Sequence, residues 1–134
     1  MYLRKWMDSD GPYLIALALH KFQVEPVLIR RRLNLATEVL VLCEDNHDLV
    51  GYLCYRLRDQ IFFVDLAILD PKHIGKGIAG KFFPAIIEHA RQKGAIAMRG
   101  MVHRSNKQAF AVFKHWGFAI KRPYLTTYLI EKRL

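Results

Sequence analysis

Residues 61–80, IFFVDLAILDPKHIGKGIAG, decide the fold, because an apolar run ends here in a glycine-rich loop. The run from Ile61 to Leu69 contains a single charge and predicts a buried central strand. Apolar residues then recur at helical spacing, at Phe82, Phe83, Ile86, Ile87 and Ala90. Glycines let backbone N–H groups approach a phosphate, and a helix N-terminus adds unpaired donors and partial positive charge. The stretch therefore predicts a strand–loop–helix unit that holds the pyrophosphate of a cofactor.

The flanking segments predict a mixed α/β sheet with the element order β-α-α-β-β-β-α-β-α-β-β. Strands are expected at 2–7, 37–43, 49–58, 61–69, 95–103, 118–121 and 125–131. Helices are expected at 13–22, 25–36, from the glycine loop to about 93, and from a cap at Ser105 to about 115. The strands at 61–69 and 95–103 should be parallel with a right-handed crossover, and the N-terminal strands should form an antiparallel meander. Pro84 is expected to kink its helix or loosen the first turn.

Composition predicts one soluble domain over residues 1–134. The chain is 52% hydrophobic and 25% charged, so it can bury a core. No apolar run reaches the ~18–20 residues of a membrane span, and no signal-peptide pattern opens the chain, so we expect a cytoplasmic protein without membrane contact. Cys43 and Cys54 lie in apolar runs and are expected to be free and buried. Neither the cysteines nor the six histidines show metal-ligand spacing, so no metal site is predicted.

Charge is distributed unevenly along the chain. Residues 1–70 carry 8 Lys and Arg against 10 Asp and Glu, whereas residues 71–134 carry 13 against 2, within a net charge of +9. A basic excess indicates an anionic partner, such as a phosphorylated cofactor, an acidic substrate or nucleic acid, although a solvated basic surface has the same composition. Arg30, Arg31 and Arg32 form a second basic group, either a solvated helix face or a contact for an acidic substrate.

The glycine spacing also fits a dinucleotide-binding fingerprint, G-x-G-x-x-G, at Gly75, Gly77 and Gly80. That site requires the first glycine close to the strand and an acidic residue about 20 residues further on. Here five residues, 70–74, separate the strand from Gly75, and no acidic residue occurs between 89 and 130. A Rossmann site is therefore disfavoured.

Two blocks of sequence together resemble the GNAT superfamily of N-acetyltransferases. The first, Ile74 to Ala79, matches the Gly and Ala positions of the family loop [Q/R]-x-x-G-x-[G/A] but has Ile74 at the Gln or Arg position. The second begins at Asn106 and continues through Ala109 and Phe113 to Trp116-Gly117-Phe118. The resemblance implies an acyl-CoA N-acyltransferase fold, with mostly antiparallel N-terminal strands and a splayed parallel pair at its centre.

The resemblance also implies where acetyl-CoA would bind. The pantetheine arm would bond the exposed backbone of Ile68 and Leu69, and the N–H of Leu69 would be the oxyanion donor. The pyrophosphate would lie on the loop amides, and Asn106 would contact the cofactor from the other side. The implied loop set is Ile74, Gly75, Lys76, Gly77, Ile78, Ala79 and Gly80. Since Ile74 removes only a side chain from this cradle, we expect cofactor binding to be retained.

The catalytic residues are less well defined by the sequence. Phe113 stands where many family members have a tyrosine that protonates the leaving thiolate, and Tyr124 or Tyr128 are the chemical replacements. Asp65, the only charge in its strand, is either a general base or the ion-pair partner of Arg99. His103 follows the next strand and is a further candidate in the cleft.

Two functions follow from these observations. The first is direct transfer of an acetyl group from acetyl-CoA to an acceptor amine on a small molecule, a protein or nucleic acid. The second is a protein of the same fold that acts on or binds nucleic acid or tRNA through its basic C-terminal half, without conventional acetyl transfer. A homodimer is an open alternative for the oligomeric state.

Overall fold

The computed structural model describes residues 1–134 and contains seven strands and four α-helices. The strands are β1 (Tyr2–Lys5), β2 (Glu38–Cys43), β3 (Leu49–Arg58), β4 (Ile61–Leu69), β5 (Ala97–His103), β6 (Ala119–Pro123) and β7 (Thr127–Arg133). The helices are α1 (Gly11–Lys21), α2 (Pro26–Leu35), α3 (Ile78–Gln92) and α4 (Lys107–His115). Short 3-10 turns occupy Asp8–Asp10 and Pro71–His73. The element order is the one that the sequence predicts.

All seven strands form one mixed sheet in the order β1-β2-β3-β4-β5-β7-β6. β1 to β4 are an antiparallel meander, and β4 and β5 are the parallel pair joined by α3. β5 then pairs antiparallel with β7, and β7 with the edge strand β6. The predicted mixed α/β sheet with a central parallel pair is therefore confirmed.

The sheet separates two cores with different helices. One core packs α3 and residues of all strands from β2 to β5 against the C-terminal segment, and includes Phe62, Phe82, Met98 and Val102. The other packs α1 and α2 on β2, β3 and β4, and includes Leu14, Ile29 and Leu66. No residue of β5, β6 or β7 belongs to this second core, so α1 and α2 cover only half of their face of the sheet.

The structure bears on two local expectations for the helices. α3 remains helical across Pro84 and ends before Gly94, whose φ of +85° is the left-handed conformation of a helix C-terminus. Ser105 is not the cap of α4, because Asn106 holds that position and accepts a hydrogen bond from the N–H of Ala109 at 3.1 Å. Asparagine caps as well as serine, so sequence preference alone does not decide between neighbours.

Gly51 allows β3 and β4 to approach closely. A Cβ at this position would lie 2.4 Å from the carbonyl oxygen of Ile68, which is backbone and cannot rotate away. We expect Gly51→Ala to lower the free energy of unfolding by about 2–3 kcal/mol, because β4 must shift to accommodate the methyl group. Urea denaturation measures this change.

Gly100→Ala is the matched control for that substitution. Gly100 also lies within a central strand, but a Cβ there meets no atom within 4 Å. Equal stability of the two variants would show that β3 and β4 are not as close as described.

Candidate functional site

The parallel strands β4 and β5 separate halfway along their length. They pair only from Ile61 with Ala97 to Val64 with Gly100. Beyond that point β4 stays paired with β3 as far as Leu69, while β5 stays paired with β7 as far as His103. The two strands thus bound an open gap, which we call the β4–β5 gap, lined on one side by 65–69 and on the other by 101–103.

A β-bulge at Asp65 marks the start of this gap. Cys54 of β3 is opposite Leu66 and Tyr55 is opposite Val64, so Asp65 is an extra residue without a partner. A bulge bends its strand and increases the local twist. The bulge therefore explains why β4 turns away from β5 immediately after Val64.

The backbone of Leu69 faces the gap. The N–H of Asp70 donates to the carbonyl of Val50 on β3 at 2.9 Å, and the carbonyl of Ile68 lies against Gly51 on the same strand. Successive residues of a strand direct their backbone polar groups to opposite sides. The N–H groups of Leu69 and Ala67 consequently point into the gap, where no strand pairs with them.

This geometry changes one of the predicted cofactor contacts. Leu69 lies where the sequence analysis predicts an oxyanion donor, but the backbone of Ile68 points to β3 and its side chain is buried in the α1–α2 core. Ala67 takes the place of Ile68 as the second residue with backbone groups toward the gap. Sequence could have identified Ala67 only if the register of β4 on β3 had been known.

The glycine loop leads from the end of β4 to the start of α3. Gly75 and Gly77 have φ values of +84° and +70°, which favour glycine, and Gly77 is the N-cap residue of α3. None of the N–H groups from 75 to 80 donates to another backbone atom, whereas the N–H of Lys81 reaches the carbonyl of Gly77 at 3.3 Å. The loop thus presents a row of unpaired donors at a helix N-terminus.

The surroundings of the loop leave room for an anion. A Cβ at Gly75, Gly77 or Gly80 would meet no atom within 4 Å, so open space faces each of these glycines. Ile74, at the usual Gln or Arg position, is 63% exposed. Lys72, Lys76 and Lys81 are exposed on the same segment and supply positive charge. The residues present therefore fit a diphosphate group.

Asn106 lies beyond the end of β5, at the start of α4. Its side-chain oxygen is occupied by the N–H of Ala109, and its amide N–H groups have no protein partner. These N–H groups are therefore available to donate to a cofactor. The predicted cofactor contact of Asn106 is thus compatible with its capping role.

Asp65 is held in an ion pair that the sequence analysis does not predict. Its two carboxylate oxygens accept from Nε and Nη2 of Arg32 on α2, at 3.1 and 3.0 Å, and its carbonyl accepts from Nη2 at 3.2 Å. The predicted pairing with Arg99 is wrong, since Arg99 donates to Glu131 at 2.7 Å. Glu131 is directly opposite Arg99 on β7, and the bulge turns Asp65 toward α2.

The ion pair between Arg32 and Asp65 changes what each residue is expected to do. Arg32 is engaged by Asp65 and is not free for an acidic substrate, and its hydrogen bonds to Asp65 raise the pKa of its guanidinium. Asp65 would have to leave Arg32 in order to take a proton from an amine. The geometry therefore gives Asp65 a structural contact at the start of the gap and does not favour it as a general base.

We expect Arg32→Ala to lower the free energy of unfolding by about 1–2 kcal/mol. Asp65 is only 14% exposed and would lose both of its donors, but Arg32 is 40% exposed, which reduces the effect below that of a fully buried pair. Thermal unfolding monitored by circular dichroism measures the change. Arg31→Ala, on the exposed face of the same helix, is the control and should leave the stability nearly unchanged.

His103 stands at the end of β5 on the face that α1 and α2 leave uncovered. The neighbouring Val102 points into the α3 core, so the side chain of His103 points to the opposite face. Its Nδ1 accepts from the N–H of Ser105 at 3.2 Å and lies 2.6 Å from the Ser105 hydroxyl. The neutral ring consequently carries its proton on Nε2. Ser105 is a residue that the sequence analysis treats only as a helix cap.

The tyrosines and Phe113 lie elsewhere. Tyr124 is 44% exposed in the turn between β6 and β7, and its hydroxyl has no protein partner. Tyr128 is half-buried beneath Arg104, whose guanidinium carbon is 4.7 Å from the ring centre. Phe113 packs edge-on against Trp116 and Phe118, with ring centres 5.9 and 5.7 Å away. Position 113 therefore contributes an aromatic ring to this cluster and offers no hydroxyl group.

Three broader features of the chain concern membrane helices, metal-binding groups and cysteines. None of the helices combines the length and apolar character needed to cross a membrane. No three side chains of His, Cys, Asp or Glu come together in a metal-binding arrangement. Cys43 and Cys54 are buried and free, as expected.

Several solved structures share this fold. The PaiA N-acetyltransferase from Thermoplasma acidophilum, in complex with coenzyme A, has a TM-score of 0.78 and 18% identity, covering 99% of this chain and 98% of that chain. The ribosomal-protein-S18-alanine N-acetyltransferase from Escherichia coli has a TM-score of 0.83 and 12% identity, over 98% and 92%. A variant of the spermidine N-acetyltransferase SpeG from Vibrio cholerae has a TM-score of 0.82 and 13% identity, over 99% and 95%.

Sequence comparison identifies the family. A search of the curated proteins gives no match. A sequence model of the acetyltransferase (GNAT) family, however, matches residues 3–118. This range includes the glycine loop, the β4–β5 gap and the whole of α4. The chain therefore belongs to the acetyltransferase (GNAT) family.

Proposed function

We propose that this protein transfers the acetyl group of acetyl-CoA directly to an acceptor amine. The observation that carries the proposal is the β4–β5 gap, whose edge presents the backbone N–H of Leu69 and which leads into the unpaired N–H groups of the glycine loop. A thioester in the gap would have a hydrogen-bond donor for its carbonyl oxygen and an anion site for its diphosphate.

Different segments of the chain would bind different parts of the cofactor. The N–H groups from Gly75 to Gly80 would bind the diphosphate, and the backbone of Ala67 and Leu69 would bind the pantetheine arm. The side-chain amide of Asn106 would donate to the cofactor from the α4 side. The hydrogen bond from the Leu69 N–H to the thioester carbonyl oxygen would become stronger as negative charge develops on that oxygen. This difference between ground state and transition state is what would accelerate acyl transfer.

The acceptor amine must lose a proton when it attacks, and Ser105 with His103 offers a path for it. The Ser105 hydroxyl donates to Nδ1 of His103 across 2.6 Å, so it can pass this proton to the imidazole while accepting one from the amine. Both residues are exposed beside the gap, on the face that α1 and α2 leave open. With Phe113 in place of a tyrosine, we expect the thiolate to leave without a proton donor from α4.

Proteins with this fold act on chemically different acceptors. Two of the structural neighbours described above act, by name, on an alanine of ribosomal protein S18 and on spermidine. Enzymes with such different acceptors share the fold, so the fold does not identify the acceptor of this chain. Release of CoA over a panel of polyamines, amino acids, peptides and tRNA tests the activity, and no release above the background hydrolysis rate with any of them would contradict it.

A second candidate function is binding of nucleic acid through the basic half of the chain. The observation that favours it is the charge of residues 71–134, with 13 basic and 2 acidic residues. β6 is exposed along its length and carries Lys121 and Arg122. Salt-sensitive binding of DNA or RNA that CoA does not displace would support this function, since phosphate contacts weaken steeply with ionic strength.

A further inference from the structure

The glycine loop is fixed to the sheet through one buried carboxylate, that of Asp70. Asp70 is 5% exposed and begins the 3-10 turn that precedes the loop. Its Oδ1 accepts from the N–H of Lys72 at 3.0 Å, and its carbonyl accepts from the N–H of His73 at 2.9 Å. Its own N–H donates to Val50 on β3 at 2.9 Å. Asp70 thus sets the direction in which the chain leaves β4.

The second oxygen of this carboxylate is bound from a different part of the molecule. The hydroxyl of Tyr13 on α1 donates to Oδ2 of Asp70 at 2.5 Å and lies 3.3 Å from the carbonyl of Leu49. The two partners are 57 residues apart in sequence. α1 packs on the face of the sheet opposite α3, so this bond connects a helix on one face with the segment that leads into the helix on the other face.

We propose that Tyr13 is a positioning residue for the cofactor loop, acting through Asp70 to keep the unpaired N–H groups of 75–80 in their binding arrangement. The inference rests on the proposed function, because it assigns Tyr13 to the same CoA site. The hydroxyl of Tyr13 bonds to Asp70 and Leu49 and to none of the glycines. Its effect therefore differs from that of a residue that touches the cofactor.

The physical reason lies in the cost of leaving Oδ2 without a donor. A buried carboxylate oxygen that loses its hydrogen bond must find water or another donor, and Asp70 can do so only by rotating away from Lys72 or by opening the turn. The loop then samples conformations whose N–H groups no longer converge. CoA must select the remaining competent fraction, and its apparent affinity falls by that fraction.

The test compares Tyr13→Phe with Tyr52→Phe. Each substitution removes one hydroxyl at the contact between α1 and the sheet, because Tyr52 donates to the carbonyl of Leu14 at 2.9 Å. Only Tyr13 bonds to Asp70. Calorimetric titration with CoA should show a dissociation constant raised about tenfold for Tyr13→Phe and changed less than about twofold for Tyr52→Phe. Equal dissociation constants for the two variants would overturn the proposal.

Kinetics separates positioning from a general loss of structure. Tyr13→Phe should raise the KM for acetyl-CoA while kcat at saturating acetyl-CoA stays within about twofold of the unsubstituted protein. A matching fall in kcat would contradict a positioning role. Melting temperatures of both variants, measured without ligand, show whether their folded states are equally stable.

A double-substitution cycle tests the route through Asp70. Asp70→Ala should weaken CoA binding on its own, and adding Tyr13→Phe to it should change the dissociation constant by less than about twofold, because the carboxylate that accepts the hydrogen bond of Tyr13 is already gone. Additive effects would show that Tyr13 acts independently of Asp70 and would refute the proposal. Unsubstituted protein that fails to bind CoA at millimolar concentration would instead refute the proposed function, and the inference with it.

Discussion

Gly77→Leu is expected to remove measurable CoA binding, lowering affinity by at least about 100-fold. Gly77 is the N-cap residue of α3 and has a φ of +70°. A side chain there would enter the open space in front of the unpaired N–H groups, where the diphosphate is proposed to lie. It would also resist the left-handed backbone that directs those groups outward. Titration with CoA and the CoA-induced rise in melting temperature both measure the loss.

Gly94→Leu provides a control at the opposite end of the same helix. Gly94 has a φ of +85°, and a Cβ there also meets no atom within 4 Å. The two substitutions thus carry similar backbone strain and differ in their distance from the loop. Gly94→Leu should lower stability to a similar extent and leave CoA affinity unchanged. Comparable loss of CoA binding in both variants would show that strain in α3, and not the loop, accounts for the effect.

The strand–loop–helix unit could be predicted because its signals are local. An apolar run, a loop with glycines and a helical repeat follow one another within 61–92, and each reports on its own backbone. The parallel pairing of β4 and β5 then follows from the crossover between them. For the same reason the positions of Gly75 and Gly77 in the loop agree with the structure residue by residue.

The partners of charged side chains could not be predicted in this way. Asp65 and Arg99 each stand as the only charge in their strands, which suggested that they pair. The sequence does not show the bulge at Asp65, nor that β7 lies between β5 and β6, and these two features supply Arg32 and Glu131 as partners. Register and strand order depend on contacts between distant segments, and hydrophobic periodicity along the sequence does not report such contacts.

The same limit applies at the candidate site. Ile68 and Ala67 are neighbours in sequence, and only the pairing of β4 on β3 decides whose N–H faces the gap. The bond from Tyr13 to Asp70 joins segments that no local pattern relates. The sequence therefore locates the glycine loop, whereas the hydrogen bonds that connect it to the rest of the molecule emerge only from the folded chain.

His103→Ala is expected to lower kcat by about 100-fold, the usual contribution of a single proton-transfer residue, with little change in the KM for acetyl-CoA. His103 and Ser105 are exposed, so truncating their side chains leaves no cavity in the hydrophobic core. The loss should therefore appear in the chemical step and leave the melting temperature almost unchanged. Steady-state kinetics, with an acceptor found in the CoA-release panel, measures the effect.

Ser105→Ala discriminates between a proton path through serine and direct use of the imidazole. If Ser105 passes the proton to Nδ1, its substitution should lower kcat nearly as much as His103→Ala, and the double variant should be no slower than either single one. A normal kcat for Ser105→Ala with a low one for His103→Ala would assign the proton directly to His103. Normal rates for both variants would exclude this pair from catalysis and leave the amine to lose its proton to water or to Asp65 released from Arg32.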